Sequence, residues 1–142
     1  MSPSTPAPVI GSGSPVAAIV YRPGACNIGP AEIARRRRAG HVGTGIALGL
    51  LALLVSVRAP RATRLAIALP VAGAASGYLQ ARLRFCAGFG SRGVYNFGPL
   101  GEVERVEDAE ARARDRARSM QIGLESLAIG GLAGVAAVLL PV

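Results

Sequence analysis

Three apolar stretches dominate this chain, and clusters of arginine separate them. They run over about residues 40–57, 65–83 and 121–141. At a helical rise of ~1.5 Å per residue, stretches of this length nearly or fully cover a hydrocarbon core of ~30 Å. The sequence therefore predicts an all-α integral membrane protein with three transmembrane helices.

Composition supports a membrane protein over a soluble domain. Hydrophobic residues make up 51% of the chain, yet only 4% are aromatic and there is no Trp. A soluble core of this size normally uses more Phe, Tyr and Trp. The net charge is +8, and every basic residue is Arg. Because these arginines flank the apolar stretches and do not form one face with interleaved aromatic residues, we expect contact with membrane lipids and no nucleic-acid binding.

Each apolar stretch carries one pair of glycines separated by three residues. Lipid gives helices no hydrophobic drive to associate, so glycines that let backbones approach closely often mediate packing. We therefore expect these faces to contact other transmembrane helices, either of a larger complex or of a second copy. The pairs are Gly45/Gly49, Gly73/Gly77 and Gly130/Gly134.

Composition along the chain predicts three regions. Residues 1–25 are rich in Pro, Ser and Gly and read as a flexible arm with a short apolar patch at 16–21. No basic region precedes an apolar run there, so no signal peptide is predicted. Residues 26–98 are predicted to form a transmembrane helical hairpin domain, and residues 99–142 a charged helix followed by the third transmembrane helix.

The distribution of arginine predicts the orientation. The densest cluster, Arg35–Arg38, directly precedes the first apolar stretch, whereas the connection Arg58–Arg64 carries three arginines. The positive-inside rule places the denser cluster in the cytoplasm. We therefore predict a bacterial plasma (inner) membrane protein with its N-terminus in the cytoplasm and its C-terminus outside.

Residues 102–120 have an ordered charge pattern, with acidic residues first and arginines last. This order complements a helix macrodipole, and the pairs Asp108/Arg112 and Glu110/Arg114 have i,i+4 spacing. The pattern predicts a charged cytoplasmic helix that continues into the third span. We interpret it as a solvated helix face, with a docking surface for a cytoplasmic partner as the alternative.

Two local patterns are alike, Asn27-Ile-Gly-Pro and Asn96-Phe-Gly-Pro. Asn, Gly and Pro at these spacings are ordinary turn residues. Each pattern precedes a charged segment and an apolar stretch, so both are predicted to be loops that lead into a helix. Asn27 is a plausible cap for the first of these helices.

The first pattern belongs to a longer spacing, N-[VI]-G-x-x-[DE]-x-x-x-R-x-x-x-G. After the second apolar stretch, Phe85-Cys86-Ala87-Gly88-Phe89 and Gly93-Val94 follow the spacing F-C-P-x-[YF]-x-x-x-G-[IV], with Ala87 in place of Pro. Two further positions differ from the family that carries these spacings: it usually has Arg where this chain has Ile33, and Asn where this chain has Tyr95. The residues that match the first spacing are Asn27, Gly29, Glu32, Arg36 and Gly40.

Over about residues 26–96 the chain thus resembles the two-helix transmembrane domain found in inner-membrane rhodaneses, the YgaP-like transmembrane domain. The resemblance implies a hairpin whose two ends both lie in the cytoplasm and which tends to self-associate. It implies no catalytic residue in this domain. The arm, the charged helix and the third apolar stretch lie outside it.

Cys26 and Cys86 are the two thiols, and both are predicted to lie on the cytoplasmic side. A reducing compartment disfavours a structural disulfide. The two could be inert buried residues, or a redox or sulfur-carrying pair of the kind found beside basic residues. With His41 they make three potential metal ligands without a recognised zinc spacing, so no metal is predicted.

Glu125 is the one acidic residue inside an apolar stretch. Carboxylates at this depth are candidates for proton or ion movement, but near the cytoplasmic end an ion pair with Arg118 or a hydrogen bond is the simpler interpretation. No catalytic residue and no cofactor are predicted, because the sequence has neither a nucleophile–base pattern nor a phosphate-binding loop.

The sequence therefore favours a non-enzymatic accessory or scaffolding subunit of a larger bacterial plasma-membrane complex, which packs through small-residue helix faces. The alternative is a membrane protein that handles sulfur or redox equivalents through Cys26 and Cys86. A small oligomeric channel is a third hypothesis, but no polar stripe is visible to line a pore.

Overall fold

A computed structural model describes residues 19–142, which are mostly helical. Of the predicted arm, residues 1–18 lie outside the described residues. The α-helices are α1 (Pro30–Ser56), α2 (Ala68–Leu83), α3 (Ala87–Arg92) and α4 (Ala109–Leu139). A 3₁₀ helix, Arg61–Ile67, leads directly into α2, and the strands β1 (Val94–Tyr95) and β2 (Glu104–Arg105) form a short antiparallel hairpin.

The first helix begins and ends where its sequence allows. Pro30 occupies the first turn, where its missing N–H costs nothing, and Glu32 adds a negative charge near the positive end of the helix dipole. The helix stops before Arg58, which has a left-handed backbone (φ 51°), and before Pro60. α1 thus covers the first apolar stretch and also includes the arginine cluster before it.

α2 lies between the two long helices, since α1 and α4 both pack against it. Residues 65–83 are helical as predicted, with the first three in the 3₁₀ helix. Pro70 is accommodated because it falls in the first turn of α2. Arg84, with a left-handed backbone (φ 53°), ends α2 and turns the chain toward α3.

Two helices of the described chain, α1 and α4, are long and apolar enough to cross a membrane. Their apolar portions are only 11% and 28% buried, respectively, within the structure. The core helix of a soluble domain is mostly buried. Large apolar side chains on both helices, among them Ile46, Leu53 and Leu132, are instead exposed.

Close helix contacts involve some of the predicted glycines. A Cβ added at Gly77 would lie 2.6 Å from the backbone N of Gly40, and one at Gly43 would lie 2.9 Å from the backbone N of Ala74. These four small residues therefore set the distance between α1 and α2.

Gly130 and Gly134 make the corresponding contact between α4 and the start of α2. A Cβ at Gly130 would lie 2.7 Å from the Cβ of Ala72, and one at Gly134 would lie 3.1 Å from the Cβ of Ala68. Gly45, Gly49 and Gly73 differ, because an added Cβ at any of them meets no atom of residues 19–142 within 4 Å. Three of the six predicted packing glycines thus pack within the chain, and the other three are open.

The charged segment does not become helical at residue 102. α4 begins at Ala109, because residues 104–105 pair with β1 and the Asp108 carboxylate caps the helix by accepting the Ala111 N–H at 2.7 Å. The predicted helix over 102–108 is therefore wrong. Glu110 and Arg114 form the predicted pair at 2.5 Å.

The predicted pair Asp108/Arg112 is not among the ion pairs of the described residues. Asp108 is engaged as the cap of α4. Arg112 instead donates to the carbonyl oxygens of Val106 and Glu107, at 2.8 and 2.9 Å. Its guanidinium thus holds the segment that leads into α4.

The described chain has two regions, which we call the head and the bundle. The head comprises residues 19–39 and 84–118, that is, the N-terminal loop, the start of α1, α3, the β-hairpin and the charged start of α4. The bundle comprises α1 from Gly40, the 3₁₀ helix, α2, and α4 from Ser119.

Candidate functional site around Cys86

Cys86 lies at the junction between the bundle and the head and is only 1% exposed. It is the N-cap residue of α3, and its Sγ accepts the Phe89 N–H at 3.4 Å. The next N–H, that of Ala87, donates to Gln80 Oε1 on α2 at 3.0 Å. The start of α3 is therefore fixed to the end of α2 by side chains from both helices.

The Asn27 side chain binds the backbone of Cys86 on both sides. Asn27 Oδ1 accepts the Cys86 N–H at 2.6 Å, and Asn27 Nδ2 donates to the Cys86 carbonyl at 3.1 Å. The Asn27 N–H in turn donates to the Arg84 carbonyl at 3.1 Å. The expectation that Asn27 caps α1 is wrong, since Gly29 is the N-cap residue and has no side chain to donate or accept.

The sulfur of Cys86 faces a guanidinium. Arg36 Nη2 lies 2.9 Å from Sγ and 3.7 Å from Glu32 Oε2. Glu32 is 1% exposed and also lies 3.8 Å from Arg35 Nη1. Neither Glu32 Oε2 nor Arg36 Nε has a hydrogen-bond partner among the described residues. Two cations thus share one buried carboxylate, which leaves an excess of positive charge beside the sulfur.

An apolar shell covers the rest of the thiol. Ile28, Cys86 and Phe89 form a buried cluster, and Ile33 and Val94 pack against it. Because this shell and the polar contacts leave the sulfur almost no solvent exposure, a reagent reaches it only when the head opens.

Cys26 has a different environment. It is 2% exposed, and its backbone exchanges two hydrogen bonds with Arg22, each 2.9 Å long. Both cysteines are free thiols in the described chain. The structure thus places both candidate thiols in the head without a bond between them.

The two Asn-x-Gly-Pro loops lie side by side. The Asn96 N–H donates to the Asn27 carbonyl at 3.0 Å, and the Gly29 N–H donates to the Asn96 carbonyl at 2.8 Å. A Cβ at Gly29 would lie 2.8 Å from the Phe97 carbonyl oxygen, so this close pairing requires glycine.

The second loop does not lead into a helix, contrary to expectation. Asn96 Oδ1 accepts the Gly98 N–H and Asn96 Nδ2 donates to the Pro99 carbonyl, both at 2.8 Å, so its side chain stabilises the turn of the β-hairpin. The same four-residue pattern therefore serves two different structures.

Four of the five residues that match the longer spacing lie at this junction: Asn27, Gly29, Glu32 and Arg36 surround Cys86 or its neighbouring loop. The fifth, Gly40, lies in the bundle, where an added Cβ would be 2.9 Å from the Tyr78 ring. Phe89 belongs to the buried cluster. Gly93 ends α3 with a left-handed backbone (φ 67°).

A second buried polar group, which sequence reasoning missed, holds the N-terminal loop on α4. Asp115 is fully buried and accepts the Tyr21 O–H at 2.8 Å and the Gly24 N–H at 2.7 Å. Burial, together with the hydrogen bond to Asp115, raises the pKa of Tyr21. The sequence feature that could have indicated its role is its position as one acidic residue among four arginines, Arg112, Arg114, Arg116 and Arg118.

Aromatic residues join this loop to the β-hairpin. The rings of Tyr21 and Tyr95 stack with centroids 4.8 Å apart, and Phe97 lies beside Tyr95. The Tyr95 O–H donates to Glu104 at 2.7 Å, and this hydrogen bond is the main cause that raises the pKa of Tyr95.

Arg64 was also missed as a structural residue. It is 3% exposed at the opposite end of the bundle and donates to the carbonyl oxygens of Ala137, Leu140 and Val142 near the C-terminal end of α4. A cation at this position satisfies carbonyls that have no partner within the helix and complements its dipole.

Glu125 is exposed and does not pair directly with Arg118. Gln121 lies between them: Arg118 donates to Gln121 Oε1 at 2.9 Å, and Gln121 Nε2 donates to Glu125 Oε1 at 2.8 Å.

His41, the third potential metal ligand, hydrogen-bonds Tyr78 through Nδ1 at 2.7 Å. No group of three or more His, Cys, Asp or Glu side chains among residues 19–142 could hold a metal ion.

Chemically, the site offers one sulfur with two donors, an adjacent carboxylate and no open channel. Hydrogen bonds of this kind are stronger to an anionic sulfur than to a neutral one.

Comparison of the chain with protein-family models, with curated proteins and with solved structures finds no match.

Proposed function

We propose that the protein is an accessory or scaffolding subunit of a bacterial plasma membrane, with three transmembrane segments and a structured head in the cytoplasm. α1 and α4 are two of the segments. The third is the continuous helical run of the 3₁₀ helix and α2, which measures roughly 35–40 Å at ~2.0 and ~1.5 Å per residue. Its position between α1 and α4 supports a span, because both the 3₁₀ helix and α2 contact each of these two helices.

The arginines support an orientation with the head inside. The loop outside would contain Arg58, Arg61 and Arg64, but Arg64 is buried against the end of α4. Only two arginines there are therefore exposed. The head carries all the remaining arginines except Arg82, which lies in the last turn of α2 beside the head, and it includes the cluster 35–38. This asymmetry is steeper than the sequence count alone implies.

One observation carries the scaffolding role. On α1, Gly40 and Gly43 contact α2, while Gly45 and Gly49 lie on an exposed face where an added Cβ meets nothing within 4 Å. Glycine lowers helix propensity, so an open pair has a cost that packing inside the chain does not offset. Close approach of a helix from another protein or another copy would offset it.

Leucine substitution on the open face tests this role. Gly45→Leu and Gly49→Leu should leave the protein inserted and folded, because an added Cβ at either position meets no atom of residues 19–142 within 4 Å. On a native gel in mild detergent, each variant should shift from a large assembly to a smaller species. Gly131→Leu is the matched control, since this open glycine of α4 lies outside the three pairs.

Two results would contradict the scaffolding role. One is an unchanged assembly in both α1 variants. The other is a wild-type chain that migrates alone, with no partner recovered with it from native membranes.

A second candidate function uses the thiol of Cys86. The observation in its favour is the contact of Sγ with Arg36 at 2.9 Å beside the buried Glu32. A head opening that exposes this sulfur would present it for thiol exchange or sulfur transfer. Substituting Cys86→Ser with Cys26 retained, against Cys26→Ser as the matched control, separates the two thiols. Loss of a sulfur-transfer phenotype in the first variant alone would favour this function.

A further inference from the structure

A groove runs between the start of α1 and the end of α2, on the side of the hairpin that carries the head. Its volume is about 370 Å³, and it is open to the surface. Three of its eight lining residues are arginines, and the other five are apolar. The cationic residues are Arg37, Arg82 and Arg84, and the others include Ile33, Ala34 and Ala81.

The three arginines of the groove have no acidic partner. The ion pairs of the described residues involve Arg35, Arg36 and Arg114, and residues 1–18 contain no Asp or Glu. Pro30, the first residue of α1, also borders the groove, so the positive end of the α1 dipole lies at its edge. The groove therefore concentrates positive charge that nothing in the described chain neutralises.

From this arrangement we propose that the groove binds the headgroup of an anionic phospholipid, such as phosphatidylglycerol. The inference rests on the membrane location proposed above, which puts the ends of α1 and α2 at the bilayer surface. The phosphate would lie among the three guanidinium groups, where bidentate hydrogen bonds are available. Basic pockets between helices at this level are typical sites for such headgroups.

The apolar residues of the groove distinguish a lipid from a soluble phosphate. Ala81 lies on the bundle side of Arg82 and Arg84 and gives the glycerol backbone and the first acyl carbons a surface to cover, while Ile33 and Ala34, on the head side of Arg37, border the headgroup. A free phosphate uses only the cations and leaves these side chains wet, so it forgoes that part of the binding energy.

The test measures which lipid stays bound to the purified full chain. The protein is extracted in mild detergent with equal amounts of phosphatidylglycerol and phosphatidylcholine, and native mass spectrometry counts the lipids retained. The wild-type protein should retain phosphatidylglycerol in preference to phosphatidylcholine. The double variant Arg37→Gln/Arg82→Gln should lose this preference by roughly tenfold, since each arginine near an anionic surface adds to binding.

A matched control separates the groove from overall charge. Arg22→Gln/Arg38→Gln removes the same charge from exposed positions of the head that do not line the groove, and it should keep the preference. Equal losses in the two double variants, or none in the first, would overturn the proposed site. Displacement of phosphatidylglycerol by an equal concentration of glycerol 1-phosphate would overturn the choice of a lipid.

The outcome also separates this site from the proposed location. A chain that is recovered in the membrane fraction but shows no lipid preference overturns the groove site alone. A chain that is absent from the membrane fraction overturns both.

Discussion

In the head, buried polar side chains bind particular backbone groups, whereas in the bundle the helices meet through glycine and alanine. Asn27 and Asp115 together satisfy four donors and acceptors of the head. In the bundle the closest approaches involve Gly40, Gly77 and Gly130, which have no side chain to bond. In the proposed location, water would compete for hydrogen bonds in the head, so burial and geometry must be good there. Lipid around the bundle would offer no such competition, so close packing would suffice.

The largest effect is expected at the α1–α2 contact. In Gly77→Leu, the new Cβ alone would lie 2.6 Å from the Gly40 backbone N, so the two helices must separate. We expect a loss of about 3 kcal/mol or more. Thermal unfolding in detergent, followed by circular dichroism, measures it. Gly73→Leu is the control on the same helix, since Gly73 is open, and an equal loss there would contradict the assigned contact.

A smaller loss is expected in the head at Asn27. Asn27→Ala leaves the N–H and carbonyl of Cys86 without their partner in a buried site, which costs about 2–3 kcal/mol. Asn96→Ala removes bonds within one turn only and should cost less. Urea unfolding of both variants compares them, and the reverse order would break the distinction between the two loops.

Asp115→Asn tests the docking of the N-terminal loop. Burial and the hydrogen bond to Asp115 hold the pKa of Tyr21 above its usual value of about 10. This contribution to stability is therefore complete below about pH 10 and is lost as the pH rises through the folded-state pKa. In the variant, the ultraviolet titration of Tyr21 should move to lower pH. Tyr78→Phe/Tyr95→Phe in both backgrounds removes the other two tyrosines from the signal, and an unmoved titration of Tyr21 would refute the contact.

The smallest effect is expected at the exposed pair Glu110/Arg114. Arg114→Ala should change stability by less than about 0.5 kcal/mol, because an exposed i,i+4 pair is well screened. A loss of more than about 1 kcal/mol in the free energy of unfolding, measured by urea unfolding, would show that the start of α4 contributes more to the stability of the head than its contacts indicate.

Residue patterns predicted the helices well and the head poorly. Long apolar runs specify helices by local composition, so residues 65–83 and most of α1 were placed correctly. The β-hairpin was missed because β2 has only two residues, and its pairing depends on contact with β1. Local charge order favoured a helix over 102–108, but that long-range contact and the Asp108 cap prevailed.

The site shows the same division. The spacing that contains Asn27 and Arg36 drew attention to residues that the structure places beside Cys86, but it could not show that they converge on this residue, 50 or more positions away in sequence. The only local sign for Asp115 was its position among four arginines, and Arg64 had none, because the partners of both residues lie in distant segments. The open or packed state of each glycine was likewise hidden, since both states have the same spacing.

Orientation in the membrane is the central claim, and accessibility of an introduced cysteine tests it most directly. Ala62 and Ala109 are both exposed, at opposite ends of the molecule, and the native cysteines are buried and should stay unlabelled. In intact cells, a membrane-impermeant maleimide should label Ala62→Cys and should label Ala109→Cys only after the membrane is permeabilised. Labelling of Ala109→Cys in intact cells, with Ala62→Cys protected, would reverse the orientation. Labelling of both in intact cells would contradict the three-span arrangement itself.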